Sequence, residues 1–337
     1  MPGVRRVEDP YSMDDHDQAP ERTLLEWAQV LCPDTPRKRL KQWIAAGRFY
    51  LDGKAVSQAG LRMPDPGDSL ALGAPDSSVA SWEHRKKVHP KLTVLYLDES
   101  LAIVDKAAGL LSVPAEEQAG KSALDLLGDY LNDPRGDAQR KRLFGGPGLV
   151  RPLPVHRLDQ YTSGLLCLAL NEEARRALID QLQRYELLRE YTAFADGRPR
   201  APSGTWRHWL KLDAREYRQQ LFQEPVEGAV EAVTHFTVER EFEQHRACRL
   251  GIRLETGLKH QIRIQAAAEG LPLIGDRHYH PGTIKAMQRK GAPLPYGFKR
   301  QALHAARIGL LHPRDGRRLD FESRLPADLL ALQKRLS

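Results

Sequence analysis

Cysteine is scarce in this chain: Cys32, Cys167 and Cys248 are an odd set of three with no CxxC pair. That pattern argues against a disulfide framework and against a structural zinc site. Cys167 falls inside an apolar run and reads as a small buried hydrophobe. A reducing compartment, the cytoplasm, is therefore expected. Long apolar runs are missing too, and no stretch approaches the length that spans a bilayer. Residues 1–22 hold no apolar segment of signal-peptide type, and Glu8, Asp9, Asp14, Asp15 and Asp17 make them too acidic for a transit peptide. They read as a disordered tail. Neither an internal repeat nor a coiled-coil heptad run occurs.

What is present suits a folded, soluble protein. The 337 residues are 41% hydrophobic and 28% charged, enough apolar content to fill a core. At roughly 150 residues per domain, about two domains are expected. The formal net charge of +7 is a moderate basic excess that becomes informative only where it is clustered.

One cluster lies near the N-terminus. Thr23 is placed to cap a short helix carrying Leu24, Leu25, Trp27 and Ala28. After Pro33 and Pro36 a second helix runs from Arg37 through Ile44 to a stop at Gly47. On it, Leu40, Trp43 and Ile44 form an apolar stripe, while Arg37, Lys41 and Arg48 fall within an arc of about 40° beside it. Short strand-like runs follow at residues 48–51 and 54–56, joined by Asp52-Gly53, then a Pro66-Gly67-Asp68 turn and a run at 69–72. An isolated basic helix face is ordinarily just solvated. The order of two helices, a hairpin and a Pro-Gly-Asp turn, however, resembles the S4-like RNA-binding domain. That resemblance implies a small α/β unit over residues 23–73 whose Arg37, Lys41 and Arg48 meet phosphate. Residues 74–92, rich in Gly, Pro, Ser and charge, read as a linker to a second domain at 93–337.

The second domain opens with a hairpin-like pair, residues 93–97 and 101–104, turned at Asp98-Glu99. Strand-like runs then alternate irregularly with short helices, which predicts a mixed α+β domain and not a regular βαβ series. Its most informative stretch is His156-Arg157-Leu158-Asp159-Gln160-Tyr161-Thr162-Ser163-Gly164, followed by six apolar residues ending at Leu170. The apolar run is the length of a fully buried strand. Asn171 can cap the helix after it, with Glu172 and Glu173 in the first turn. Asp159 then sits in a loop against the start of a core strand. By position alone such an Asp would ordinarily bond its own backbone.

The whole string, however, resembles the signature H-R-L-D-x-x-T-S-G of the RluA-type pseudouridine synthases. A second block, Leu187 to Gly197, reads as a strand carrying Tyr191, and a third, Glu255 to Gly270, contains Thr256-Gly257, His260-Gln261-Ile262 and Arg263. His260 and Arg263 are three apart and are expected on one helix face. Asp105-Lys106-Ala107-Ala108-Gly109-Leu110 resembles the family's first block, with Ala107 where Pro is usual. Gly275-Asp276-Arg277 and the run from Arg300 to Ala305 complete the pattern and read as architectural.

The resemblance implies a largely antiparallel catalytic fold in which Asp159 is the catalytic carboxylate. Tyr191 is the aromatic platform for the flipped base, and Arg263 is the cation that pairs with Asp159. Arg157 and His260 are implied RNA contacts beside it. The implied reaction breaks the bond between ribose C1′ and uracil N1, turns the base and rejoins it through C5. It needs no cofactor, metal or second substrate. Asp159 can serve as a nucleophile at base or sugar, or as a base in an elimination, and the residues leave that choice open. Ribosomal RNA is the favoured substrate and transfer RNA the next, with the protein acting as a monomer. A non-catalytic RNA-binding or ribosome-assembly protein on the same scaffold is the alternative; the trio Asp159, Tyr191 and Arg263 argues against it. His278, His280, His304 and His312 lack metal-ligand spacing, so no metal site is expected.

Overall fold

The computed structural model describes residues 21–33, 35–45, 49–52, 54–72, 85–114, 120–135, 144, 149–213, 218–289 and 291–337. Residues 1–20 of the expected tail, most of the expected linker and Arg48 lie outside them. The chain divides into two compact units, Met1–Pro75 and Asp76–Ser337.

In the first unit, β1 (Arg22–Thr23) leads into α1 (Leu24–Leu31) through a capping box. The Glu26 carboxylate accepts from the Thr23 backbone N–H at 2.7 Å, while the Thr23 hydroxyl accepts from the Glu26 N–H. In α2 (Arg37–Ala45) the apolar stripe is wholly buried at Leu40, Trp43 and Ile44, and Arg37 and Lys41 are exposed. The division of this helix into a packing face and a cationic face follows its 3.6-residue period. β2 (Phe49–Leu51) pairs on one side with β3 (Lys54–Val56) and on the other with β5 (Leu70–Leu72), both antiparallel. β4 (Arg62–Met63) pairs with β1.

The second unit is organised on one large sheet. Its strands are β6 (Lys86–His89), β7 (Leu92–Leu97), β8 (Leu101–Lys106), β9 (Leu153–Pro154), β10 (Ser163–Ala169), β11 (Leu188–Asp196), β12 (Ser203–Asp213), β13 (Arg218–Phe222), β14 (Val230–Phe242), β15 (Ala247–Leu254), β16 (Leu303–Leu311) and β17 (Arg318–Glu322). The main order is β13-β12-β14-β15-β11-β16-β10-β8-β7-β6, with β17 beside β16 and β9 beside β10. Among the described residues all pairings are antiparallel except β10 with β16. Its helices are α3 (Ala123–Asn132), α4 (Glu172–Gln183), α5 (Gln261–Ala268), α6 (Pro281–Met287) and α7 (Ala327–Leu336). The mixed, largely antiparallel α+β fold matches the sequence expectation. One boundary differs: Lys86–His89, assigned to the linker on composition, is an edge strand. Its lysines suit an edge, where charge is tolerated and discourages further pairing.

β10 explains the unbroken apolar run. All seven of its residues are buried, with Leu166 and Leu168 packed in one core layer and Leu165, Cys167 and Ala169 in the layer on the other face. A strand covered on both sides needs no polar alternation. Asn171 caps α4 by accepting from the Ala174 N–H at 2.8 Å, and Leu178 carries that helix into the second layer.

At the centre of the sheet, Tyr191 of β11 faces Ala305 of β16, which faces Gly164 of β10. Gly164 has φ +110°, and a Cβ there would run into the Ala305 backbone. The close parallel approach therefore requires glycine, which is why the signature ends on one. Gly164→Ala should lower stability by on the order of 3 kcal/mol, measured by the denaturant midpoint; an unchanged midpoint would contradict this account of the strand pairing.

Candidate active site

The segment from His156 to Thr162 joins β9 to β10 without regular structure, yet it is pinned along its length. Lys106, at the end of β8, is fully buried, and its ammonium donates to the carbonyls of Ala107 (3.2 Å), Leu110 (2.9 Å) and Gln160 (3.1 Å). The Gly109 N–H also donates to Gln160 O, at 2.8 Å. Ser112 Oγ donates to Leu158 O and accepts from Leu158 N, at 2.8 and 2.9 Å. On the far side Arg300 donates to Tyr161 O at 3.1 Å, its guanidinium fixed by Asp328. Burial pushes the Lys106 pKa down to about 7, although the Asp159 charge works the other way. The first sequence block and the signature are thus one bonded unit, and Asp159 sits inside it.

The Asp159 side chain meets α5. Arg263 Nη1 donates to Asp159 Oδ2 at 2.8 Å, while Arg263 Nε and Nη2 grip Asp276 in a fork at 2.6 and 3.0 Å. Asp276 is fully buried and also accepts from the N–H groups of His278 and Tyr279. Burial disfavours both charges, but their mutual hydrogen bonds and attraction outweigh it, raising the Arg263 pKa and lowering that of Asp276. The other Asp159 oxygen, Oδ1, takes no hydrogen bond from the described residues and lies 3.9 Å from His260 Nε2.

Two glutamines bolt α5 to the sheet. Gln261 Nε2 donates to Val233 O at 3.1 Å, and Gln265 Nε2 donates to Ala232 O at 3.0 Å, both buried. These bonds fix the helix, so Arg263 reaches Asp159 from a rigid base. His260 departs from expectation. It is the N-cap of α5 with φ +56°, outside the regular helix, because the chain turns sharply after Thr256-Gly257 before the helix begins. It still faces the site, with its Nδ1 3.0 Å from the Tyr279 hydroxyl and its ring stacked on His278. Burial holds its pKa down at about 4, so the ring is neutral at neutral pH.

Asp159, Arg157, Tyr191 and His260 line one cavity of about 740 Å³. Tyr191 is buried, and burial raises its pKa, so the phenol keeps its proton. Arg157 is exposed. Of the cations assigned to RNA in the first unit, Arg37 and Lys41 are exposed on α2, whereas Arg48 lies outside the described residues. The histidines weighed against a metal have other partners. His280 lies beside Asp196 at 3.2 Å, His312 beside Asp98 at 2.7 Å, and His304 Nδ1 is 3.0 Å from Ser163 Oγ. No metal-like group of three such ligands occurs among the described residues.

Sequence reading misses the role of Asp276, since Gly275-Asp276-Arg277 looks architectural. The only local signal is an acid in a turn, and its grip on Arg263 is a tertiary fact. Lys106 and Arg189 escape notice for a similar reason: a lone cation inside a motif reads as surface charge.

The same chemistry appears in the comparisons with known proteins. Residues 100–268 match the RNA pseudouridylate synthase family, a span that contains Asp159, Tyr191 and Arg263. An uncharacterised RNA pseudouridine synthase of Bacillus subtilis (strain 168) is 31% identical over 306 residues, covering 90% of each chain. Ribosomal large subunit pseudouridine synthase D of Escherichia coli (strain K12) is 31% identical over 302 residues, covering 89% of this chain and 86% of that one. The Xanthomonas campestris protein of the same name is 33% identical over 318 residues, covering 91% and 86%. Among solved structures, human RNA pseudouridylate synthase domain containing 4 shares the fold with a TM-score of 0.54 at 20% identity, covering 72% of this chain and 92% of that one. The chain belongs to the RNA pseudouridine synthase family, in its RluA-type branch.

Proposed function

We propose that this enzyme isomerises specific uridines of large-subunit ribosomal RNA, with Asp159 as its catalytic carboxylate. The observation that carries this is the Arg263–Asp159 hydrogen bond of 2.8 Å on the wall of a cavity shared with Tyr191. Arg263 occupies one carboxylate oxygen, and Oδ1 is left without a hydrogen bond from the described residues, available to the substrate. The Tyr191 ring offers a face for a uridine taken out of its stack. The names of the Escherichia coli and Xanthomonas relatives support ribosomal RNA as the substrate class. Reactant and product have the same atoms, so the isomerisation consumes no second substrate.

The carboxylate test uses large-subunit ribosomal RNA tritiated at uracil C5, where rejoining the sugar at C5 expels the label to water. Wild type should release tritium, and Asp159→Asn should lower release by at least about 1,000-fold while RNA binding survives. Equal release from both proteins would remove Asp159 from the mechanism.

The first unit we read as an S4-like RNA-binding domain. Its support is the exposed pair Arg37 and Lys41, one turn apart on α2, whose adjacent face is packed. Replacing both with Gln should weaken RNA binding and flatten its salt dependence, the log–log slope falling by about 0.7–0.9 for each phosphate no longer neutralised. An unchanged slope would mean that this helix does not meet phosphate.

A further inference from the structure

Three arginines are buried among the described residues: Arg189, Arg263 and Arg300. Arg263 holds Asp276 and Asp159, and Arg300 holds Asp328. Arg189 has no carboxylate partner among the described residues. Its Nη2 donates to the carbonyls of Glu255 and Thr256 at 3.2 and 3.3 Å, and its buried Nε has no hydrogen-bond partner among them. An arginine stays charged even when buried, and a buried charge without a counterion destabilises a fold. A position that keeps one is therefore a place to look for an anionic ligand.

The placement of Arg189 says which ligand. It stands two residues before Tyr191 in β11, so both side chains leave the same face of the strand. It lines the cavity that Asp159 and Tyr191 line. Beside it His156 is neutral, its pKa pushed down to about 3 by burial and by the Arg189 charge. Room for the guanidinium is provided by Gly257, where a Cβ would come within 2.5 Å of Nη1. RNA brings two kinds of negative charge, its phosphates and the uracil ring once the ring is detached. Phosphates stay hydrated at the mouth of a site, where Arg157 is exposed; Arg189, 7% exposed, lies where a flipped base would go.

We propose that Arg189 is a catalytic residue that holds the uracil ring as an anion between its detachment and its reattachment. The proposal rests on the reading of this cavity as the uridine site. When the C1′–N1 bond breaks, its electron pair goes to the ring, which carries one negative charge spread over N1, O2 and O4. C1′ is left either as an oxocarbenium ion balanced by the Asp159 carboxylate or bonded to that carboxylate as an ester. The guanidinium donates to a ring oxygen and stabilises that charge while the ring turns. C5 then bonds to C1′, the proton on C5 is lost, and N1 gains a proton, so the sum is an isomerisation. A donor already in place in a dry site acts where charge develops, without reorganisation.

The experiment compares full-length wild type, Arg189→Met and Arg189→Lys in single turnovers, with enzyme in excess over large-subunit ribosomal RNA tritiated at uracil C5. Arg189→Met should slow tritium release by about 100-fold with RNA affinity within about 3-fold of wild type, and Arg189→Lys should recover part of the rate. A parallel RNA transcribed with 5-fluorouridine separates anion stabilisation from packing, read as loss of 5-fluorouridine in nucleoside digests. The fluorinated ring is the more stable anion, so the methionine variant should suffer about tenfold less on it. Thermal midpoints are recorded for each variant, and if the methionine protein does not fold, the lysine protein carries the same comparison. Weakened RNA affinity at an unchanged single-turnover rate would make Arg189 a phosphate ligand and overturn the proposal. An equal slowing on both RNAs would make it a packing residue and overturn it as well. Failure of the underlying reading looks different: wild type itself would release no tritium, or Asp159→Asn would release it normally.

Discussion

The candidate site depends on one guanidinium placed between two carboxylates. Arg263 is almost fully buried, and it is stable there because Asp276, with no solvent exposure, neutralises it through a two-bonded fork. That fork uses Nε and Nη2 and leaves Nη1 directed at Asp159. A guanidinium with its geometry set by one acid can orient a second acid with little freedom left to lose. The first acid is structural and closed to solvent, while the second borders a cavity.

The rest of the second unit serves that arrangement from two sides. From the sheet, Gln261 and Gln265 hold α5 to backbone carbonyls of β14, so the guanidinium cannot drift. From the other side, Lys106, Ser112 and Arg300 hold the backbone around Asp159 by hydrogen bonds to the carbonyls of Gln160, Leu158 and Tyr161. A loop so heavily bonded behaves like an extension of the core strand that follows it. The buried ammonium of Lys106 is tolerated because three carbonyls surround it, whereas Arg189 is held by two carbonyls and faces the cavity. The contrast separates a cation spent on the fold from one free to meet substrate.

Much of the fold was legible because it rests on local rules. The apolar run into Leu170 predicted β10, Asn171 predicted the start of α4, and Thr23 predicted the N-cap of α1. The polar strand β6 was not legible, because an edge strand with two lysines has the composition of a linker. At the site, Asp159 and Arg263 are 104 residues apart, and only the resemblance of whole motifs linked them before the structure did. The Asp276 fork and the left-handed backbone of His260 were hidden for another reason. The first depends on the turn after the Ala195–Leu273 bridge and the second on the turn after β15, and no period in the sequence encodes either.

The central claim is that Asp276 acts on the chemistry only through Arg263. A double-mutant cycle tests it directly, measuring single-turnover tritium release for Arg263→Gln, Asp276→Asn and the pair combined, each checked for folding by its thermal midpoint. The account predicts that the double variant is no slower than Arg263→Gln alone, since the acid has nothing left to orient. If the two effects instead multiply, Asp276 acts by a separate route, and the guanidinium fork is not what positions Asp159.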